Sequence, residues 1–324
     1  MRVCPSRPAM DTIDGLAVPS PTCFPAKLGD LYHAGETRYR SAAATVQVRF
    51  SKTIMTHIAT TPPAVGSAGL QGELWSARAR DYAEIQEAVF LPLYKDVLRH
   101  PELANAATFL DVGCGPGLAA QTLAKKMNKA AGVDASASFI EIARERVPSG
   151  DFTVAEMETL PYSDGSFDVV TGFNAFQYAA SPVKALREAR RVAKPGGIIV
   201  IAVWGPPETC DAAGHLKALG PLMPSPPPGT PGPFALSDEA RLRALSVDAG
   251  LIPLAIADVH CPWIYPDLET ALRGMLSAGP VERAIRASSL ERVRHVITEA
   301  IAPFRTVSGG YHMNNTFRYL IARA

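Results

Sequence analysis

The sequence predicts a protein of the α/β class, in which helices flank a mostly parallel sheet. Two observations lead to this prediction. A short apolar run, a glycine-rich turn and a helix-compatible segment follow one another in residues 109–124. Strand-like runs then alternate with amphipathic segments as far as residue 204. Such alternation is typical of βαβ units, whose strands run parallel to one another.

Composition limits the classes of partner. The 324 residues allow one large domain or two small ones, and 47% of them are apolar, which suffices for a sizeable core. The net charge is +1, from 32 basic and 31 acidic residues. A balance of this kind provides no electrostatic footprint for nucleic acid or anionic membranes. We therefore expect a small-molecule partner and no nucleic acid.

Cysteine usage and hydropathy indicate the compartment. The five cysteines are scattered and form no C-x-x-C pair. We expect neither a metal site nor a disulfide framework, and hence a reducing compartment. No apolar run approaches the roughly 18–20 residues that cross a bilayer. We expect a cytoplasmic protein without an integral membrane segment.

Residues 1–70 are rich in proline and lack periodicity. Such a segment buries too little apolar surface to offset its ordering entropy, which predicts a disordered tail. An incorrect start site, with Met55 as the natural first residue, is an alternative. Basic residues between 38 and 52 leave open a transit segment over residues 1–54, and with it an organelle matrix location. Acidic residues at positions 11, 14, 30 and 36 count against that alternative, because transit segments are poor in acids.

A helical pattern occupies residues 73–100, within a predicted cap at 71–107. Trp75 and Tyr82 are seven positions apart and so share one helix face. Pro92 is expected to break or kink the run. The aromatic face predicts amphipathic helices that pack on the sheet.

The glycine turn lies in FLDVGCGPG, residues 109–117. Gly113, Gly115 and Gly117 alternate with other residues, and glycine lets a ligand approach the backbone because it has no Cβ. The spacing G-x-G-x-G differs from the dinucleotide fingerprint G-x-G-x-x-G. A phosphate loop would require Lys-Ser or Lys-Thr after the glycines, and Leu118 and Ala119 stand there instead.

A second strand is predicted at residues 129–134 and ends on Asp134. A carboxylate in this place can accept hydrogen bonds from both hydroxyls of a ribose. Asp134 thus favours a nucleoside ligand but does not choose between NAD and S-adenosylmethionine. The pattern Ser138-x-x-Glu141 predicts a capping box for a helix at residues 139–147.

Three segments together resemble one family. The D-x-G-x-G-x-G form that begins at Asp111 resembles the first motif of class I S-adenosylmethionine (SAM) dependent methyltransferases. The strings AEMETLPYSDGSFDVV and VAKPGGIIVIAVWG, at residues 155–170 and 192–205, resemble the methyltransferases of ubiquinone and menaquinone biosynthesis (methyltransferase type 11). The resemblance covers residues 109–205, where the segments follow one another in the order and at the spacing that the family has.

The resemblance implies a fold and a reaction. The fold would be a Rossmann-like three-layer sandwich, with a mostly parallel seven-stranded sheet, an antiparallel final strand and helical lid insertions. The cofactor would be SAM, with S-adenosylhomocysteine as product and no metal. The methyl group would pass by in-line displacement to a small, apolar or aromatic acceptor.

The resemblance also implies a cofactor site within a core at residues 108–205. Glu156, where the family more often has Asp, would face the adenine amino group, and the Met157 backbone would face a ring nitrogen. Asn174 would lie beside the methionine end. The implied cofactor contacts are Asp111, Gly113, Cys114, Gly115, Pro116, Gly117, Asp134, Ala135, Glu156, Met157 and Asn174.

Two insertions and the N-terminal helices are expected to roof a substrate pocket. The first insertion is the proline-rich segment 206–236, and the second is the mostly helical segment 262–314 between the last two strands. The substrate candidates are Tyr82, Gln177, Tyr178, His260 and Trp263. His215 and His312 also lie near the expected crevice, but no residue is assigned as a catalytic base.

Two other functions compete with this interpretation. An NAD(P)-dependent oxidoreductase would share Asp134 but not the glycine spacing. A non-enzymatic protein with the same fold would bind a partner or the ligand alone, although the intact glycines and Asp134 argue against a decayed site. A homodimer is also open.

Overall fold

The structure is a computed structural model that describes residues 66–123, 129–224 and 233–324. The expectations for residues 1–65, which concern the tail, the transit segment and the start at Met55, lie outside the described residues. Part of the proline-rich insertion, residues 225–232, also lies outside them.

A seven-stranded sheet carries the fold, in the order β3-β2-β1-β4-β5-β9-β6. Its neighbours from β3 to β5 pair in parallel, and β9 pairs antiparallel with both β5 and β6. This confirms the predicted mostly parallel sheet with an antiparallel final strand. The strands are β1 (Thr108–Val112), β2 (Lys129–Asp134), β3 (Asp151–Val154), β4 (Phe167–Phe173), β5 (Ala193–Trp204), β6 (Ile252–His260) and β9 (Thr316–Arg323).

Helices cover both faces of the sheet. The first three are α1 (Ala68–Ser76), α2 (Ala79–Asp81) and α3 (Leu91–Val97). The helices between strands are α4 (Leu118–Leu123), α5 (Ala137–Arg146), α6 (Pro182–Val192), α7 (Ala212–Ala218) and α8 (Glu239–Asp248). The last three are α9 (Leu268–Leu276), α10 (Gly279–Ala287) and α11 (Leu290–Ile301).

The central strands are apolar on both faces, as expected for strands covered by helices on either side. Phe109 and Val200 point into one core cluster, whereas Leu110 and Ile199 point into another. Alternate residues of a strand face opposite sides of its sheet, so the two clusters are the two interfaces of a three-layer sandwich. Strand order reverses between β1 and β4, which places a crevice at their carboxyl ends.

The N-terminal cap differs from the single helical run of the prediction. A π-helical turn at Tyr82–Gln86 and a 3₁₀ turn at Glu87–Phe90 separate α2 from α3, and Pro92 lies in the first turn of α3. Helix α1 begins at Ala68, within the segment 1–70 that the sequence assigned to the tail. The first turn of α1 bonds to Glu156, which is distant in the sequence, and local composition does not reveal such a contact.

The two insertions contain more than the predicted helices. The segment 262–314 is mostly helical, as predicted, and contains α9, α10 and α11. Two three-residue strands, β7 (Trp263–Tyr265) and β8 (Tyr311–Met313), pair antiparallel at its ends. Strands this short show no alternation that a sequence pattern can detect. None of the helices in the described residues is both long and apolar enough to cross a membrane.

Helix α5 begins two residues earlier than predicted, and its cap is Ser136 instead of Ser138. The Ser136 hydroxyl accepts the Phe139 N–H at 3.2 Å, and the Ser136 N–H donates to Asp134 Oδ1 at 2.8 Å. The second contact fixes the turn after β2, so the serine nearer to Asp134 occupies the cap position.

Replacing Ser136 by alanine should lower the free energy of unfolding by about 1 kcal/mol, the usual cost of a lost N-cap. Ser138→Ala is the matched control and should leave stability unchanged. Urea denaturation followed by circular dichroism measures both variants. Equal effects of the two substitutions would contradict the assignment of the cap.

Candidate functional site

The glycine turn between β1 and α4 has a conformation that requires glycine. Gly113, Gly115 and Gly117 have φ values of +71°, +53° and +88°. The Gly113 and Cys114 N–H groups both donate to the Val133 carbonyl, at 2.8 and 2.9 Å. A Cβ on Gly113 would lie 2.5 Å from the Ala175 Cβ. The turn therefore packs its backbone against the ends of β2 and β4.

Asp134 joins this turn to the end of β2. Its Oδ2 accepts the Gly115 N–H at 2.9 Å, and its Oδ1 accepts the Ser136 N–H at 2.8 Å. Burial raises the pKa of Asp134 to about 6, and the backbone N–H groups oppose that rise. Each oxygen of a carboxylate has a further lone pair, so Asp134 can still accept hydrogen bonds from a ligand.

A cleft of about 730 Å³ opens beside the turn. Seven of the predicted cofactor residues line it: Gly113, Gly115, Asp134, Ala135, Glu156, Met157 and Asn174. The other four, Asp111, Cys114, Pro116 and Gly117, are not among its lining residues in the described chain.

Asp111 is buried and accepts the Thr171 hydroxyl at 2.7 Å, which ties β1 to β4. Burial raises its pKa to about 7. Gly117 lies against α5, where an added Cβ would come within 3.0 Å of the Ala143 Cα. These two predicted ligand contacts occupy packing positions.

Glu156 lies at the N-terminus of α1. Its Oε2 accepts the Ala68 N–H at 2.7 Å, and its Oε1 accepts the Glu158 N–H at 3.1 Å. A carboxylate is favourable there because the first N–H groups of a helix lack partners within it. Ser67, Ala68 and Gln71 consequently form part of the cleft wall. The sequence could not predict this contact because it assigned residues 67–70 to the tail.

A second cavity of about 470 Å³ adjoins the cleft, and we call it the aromatic cavity. All three tryptophans of the chain, Trp75, Trp204 and Trp263, line it. The described part of the first insertion contributes His215, Leu216 and Pro233, and the second insertion contributes Trp263, Met275, Ala278 and Pro280. The cleft and the aromatic cavity share Trp75, Tyr82, Phe90, Asn174 and Tyr178.

Asn174 follows β4 at the junction of the two spaces. Its φ of +54° is the only positive φ of a non-glycine residue among the described residues. Backbone strain of this kind persists where the surroundings hold it, and it clusters at functional sites. The Asn174 N–H donates to the Ala202 carbonyl at 2.8 Å, and its Oδ1 accepts a hydrogen bond from the Gln177 amide. These contacts fix the side chain between the two spaces.

The structure separates the five substrate candidates. Tyr82 and Tyr178 lie at the junction, and Trp263 lies in the aromatic cavity. Gln177 is buried and contacts Asn174 instead of lining either space. His260 is exposed, lies within hydrogen-bond distance of the Asn314 side chain, 3.2 Å away, and lines neither space, so its role as a substrate contact stays a prediction. It ends β6, the edge strand farthest from the crevice on its side of the sheet.

Sequence reasoning missed Glu87. This buried carboxylate accepts the Leu118 N–H at 2.9 Å, at the start of α4, and pairs with Arg146 of α5. Arg146 also donates to the Pro116 carbonyl at 3.1 Å and to the Ala83 carbonyl at 2.6 Å. Burial raises the pKa of Glu87 to about 7. The pair connects the cap to the glycine turn.

The π-helical turn explains why the pattern hid Glu87. An extra residue per turn shifts the phase of a helix, so a position that a regular helix would expose is brought to the buried side. The sequence indicates the burial of Glu87 only by placing a charged residue beside an apolar stripe. Among the described residues no group of three or more His, Cys, Asp or Glu side chains could hold a metal ion.

Comparisons with known proteins agree with this geometry. Residues 110–201 match the family model described as a methyltransferase domain. The malonyl-[acyl-carrier protein] O-methyltransferase of Erwinia pyrifoliae is 28% identical over 183 residues, or 56% of this chain and 66% of that protein. The demethylmenaquinone methyltransferase of Thermotoga maritima is 36% identical over 117 residues, or 36% of this chain and 51% of that protein.

The chain thus spans between about half and two thirds of these two relatives. A solved structure of a SAM-dependent methyltransferase from Thermotoga maritima aligns with a TM-score of 0.47 and 17% identity, over 78% of this chain and 98% of that one. The match to residues 110–201 bears out, for that part of the chain, the resemblance that the sequence motifs carry.

Replacing Glu87 by alanine should lower the free energy of unfolding by about 2–3 kcal/mol, because it leaves Arg146 and the Leu118 N–H without their partner. Glu84→Ala is the control, since the Glu84 side chain is largely exposed and lies 3.5 Å from Arg273. Guanidinium denaturation measures both. A Glu87 variant as stable as the Glu84 variant would contradict the proposed connection between the cap and the turn.

Proposed function

We propose that this chain, whose residues 110–201 are a methyltransferase domain, is a SAM-dependent methyltransferase that acts on a small, apolar or aromatic acceptor. The observation that carries the proposal is the pair of adjoining spaces. The cleft is lined by the residues that suit a nucleoside, such as Asp134 and Glu156. The aromatic cavity is mostly apolar, and Asn174 lies where the two spaces meet. Two substrates could thus be brought together at one junction.

The cleft residues fit an adenosyl ligand. Asp134 would accept hydrogen bonds from the ribose hydroxyls through the lone pairs that its backbone partners leave free. Glu156 and the Met157 backbone would face the adenine, and Gly113, Gly115 and Asn174 would line the methionine end. Gly113 and Gly115, with φ values of +71° and +53°, line the cleft without a Cβ that would block the approach of a ligand to the backbone.

Bound SAM would supply a methyl group that a positively charged sulfur already activates. The protein then has to align the acceptor with the methyl carbon and exclude water. The aromatic rings at the junction suit both tasks. The ring of Trp75 lies 5.5 Å from that of Tyr82 and 5.7 Å from that of Tyr178, centroid to centroid. Packed rings of this kind form a rigid, water-poor wall.

The names of the relatives support the class of reaction but not one acceptor. One relative is named for a malonyl group on a carrier protein and another for demethylmenaquinone. Both are methyltransferases with different acceptors, so the acceptor of this chain has to be inferred from its own aromatic cavity.

Isothermal titration of the full chain with S-adenosylhomocysteine tests the proposal, with NAD as the control ligand. We expect the homocysteine nucleoside to bind and NAD not to bind. Asp134→Ala should weaken the binding roughly 100-fold, since two hydrogen bonds to a charged group contribute about 3 kcal/mol. Asp151→Ala, at the exposed start of β3, should have no effect. Binding of NAD alone would favour the oxidoreductase.

The affinity for S-adenosylhomocysteine should also depend on pH. The ionised Asp134 is the form that accepts two ribose hydroxyls, and its pKa is about 6. Affinity should therefore be constant above that pH and fall about tenfold per unit well below it. Asp134→Asn should show low affinity without this step. Asp134→Asn keeps the carboxylates of Asp111, Glu87 and Glu156. If the affinity of this variant still falls below pH of about 6, one of those carboxylates causes the pH dependence instead of Asp134.

A further inference from the structure

Helix α1 forms one wall of the cleft along its whole length. The residues at its cleft side are spaced three to four positions apart and so share one helix face. They are Ser67, Ala68, Gln71 and Trp75. Gly69 and Leu70, which follow the first of them, are exposed. A single helix therefore separates this part of the cleft from solvent.

Glu156 attaches the first turn of α1 to the core. Its Oε2 accepts the Ala68 N–H at 2.7 Å, and the Ser67 hydroxyl donates to its Oε1 at 3.4 Å. An added Cβ on Gly66 would collide with the same carboxylate, so the chain passes directly over it. A further contact of Glu156, from the Glu158 N–H at 3.1 Å, is local. The position of the helix start thus depends on a carboxylate 88 residues away.

The rest of α1 lies against the turn that follows β2. Gly72 approaches the Ala135 carbonyl so closely that an added Cβ would collide with that oxygen. At the last residue of the helix, the Ser76 and Ser136 hydroxyls are hydrogen-bonded at 2.7 Å. Ala135 and Glu156 both line the cleft. The helix is therefore held by residues at which a nucleoside is also expected to bind.

The carboxylate of Glu156 can serve α1 and a ligand at the same time. A carboxylate has about four lone-pair sites, and the contacts with Ala68, Ser67 and Glu158 use three of them. The site that is left can accept a hydrogen bond from the amino group of a nucleobase. A nucleoside in the cleft would also lie against the face of α1, so its binding would add contacts to the helix.

We propose that Glu156 is a positioning residue that holds α1 as a wall of the nucleoside cleft, and that docking of α1 and binding of the nucleoside strengthen each other. The inference rests on the proposed function, because it takes an adenosyl ligand as the occupant of the cleft. Coupling between two such events is reciprocal, so a change that loosens α1 has to weaken binding. Trp75 also lines the aromatic cavity, so the same docking completes a wall of that space.

Glu156→Asp tests the positioning role, because it shortens the side chain by one methylene, or about 1.5 Å. An aspartate readily accepts the N–H two residues on, so the variant should keep the contact with Glu158. The contact with Ala68 should be lost. Hydrogen–deuterium exchange of residues 68–76 measures the opening of α1. We expect this exchange to be roughly tenfold faster in the variant, while exchange in α5 stays unchanged.

Gly72→Ala loosens α1 from another side and leaves Glu156 intact. Gly72 is not among the residues that line the cleft, and its added methyl group would push the helix away from Ala135. Gly69→Ala is the matched control. It brings the same gain in helix propensity at an exposed position, where no atom of the described residues lies within 4 Å of the added Cβ.

The two glycine variants should differ in both measurements. We expect Gly72→Ala to exchange faster in α1 and to bind S-adenosylhomocysteine at least about fivefold more weakly in isothermal titration, the lower end of ordinary coupling between sites. Gly69→Ala should show neither effect. Because Gly72 contributes no polar group to the cleft, weaker binding in that variant reports the docking of α1 and not a lost ligand contact.

Ligands provide the reciprocal test on the unmodified chain. S-adenosylhomocysteine should slow the exchange of residues 68–76. 5′-Methylthioadenosine, which has the same adenosine group but lacks the amino acid, should also slow it at saturation. An effect of S-adenosylhomocysteine alone would assign the coupling to the amino-acid end and overturn the inference for the nucleoside.

Other results would also overturn the inference. Bound S-adenosylhomocysteine that leaves the exchange of α1 unchanged would show that the helix does not respond to the ligand. A Glu156→Asp variant with α1 as protected as in the unmodified chain would show that the carboxylate does not hold the helix. Undiminished affinity in a Gly72→Ala variant with a loosened α1 would separate docking from binding. Failure of the unmodified chain to bind S-adenosylhomocysteine would instead refute the proposed function.

Discussion

The hydrogen bond from the Gly115 N–H to Asp134 is the contact on which the arrangement of the site depends. It fastens the glycine turn after β1 to the end of β2, while the Gly113 and Cys114 N–H groups bond the last residue but one of β2. The turn can reach those partners only with positive φ, which restricts it to glycine. The same carboxylate bonds the Ser136 N–H and thereby sets the start of α5. One acidic side chain thus fixes three elements around the cleft.

Glu87, a buried carboxylate, attaches the N-terminal cap to the glycine turn. Glu87 belongs to the irregular cap but accepts the first N–H of α4, and its partner Arg146 reaches back to the cap carbonyl of Ala83. The cap, α4 and α5 are therefore connected by charge-assisted hydrogen bonds as well as by apolar packing. Because the cap contributes Trp75 and Tyr82 to the junction, its attachment also positions the aromatic walls. Stability and site geometry are coupled through this network.

The sequence predicted what depends on local patterns. The strand that ends at Asp134 follows from its apolar run, and the antiparallel last strand follows from the family that the motifs resemble. Contacts between distant segments left no such signal. Glu156 bonds Ala68 across 88 positions, and Glu87 is turned inward by a π-helical turn. The position of His260 at the sheet edge depends on strand order, which cannot be inferred from the strand itself.

The insertions supply the part of the site that the shared core lacks. The core carries Asp134 and the glycines, whereas α7, β7 and α9 bring His215, Trp263 and Met275 over the same junction. An apolar enclosure strengthens each polar interaction inside it and penalises each one left unpaired. Specificity for the acceptor should consequently reside in the insertions, and cofactor binding in the core.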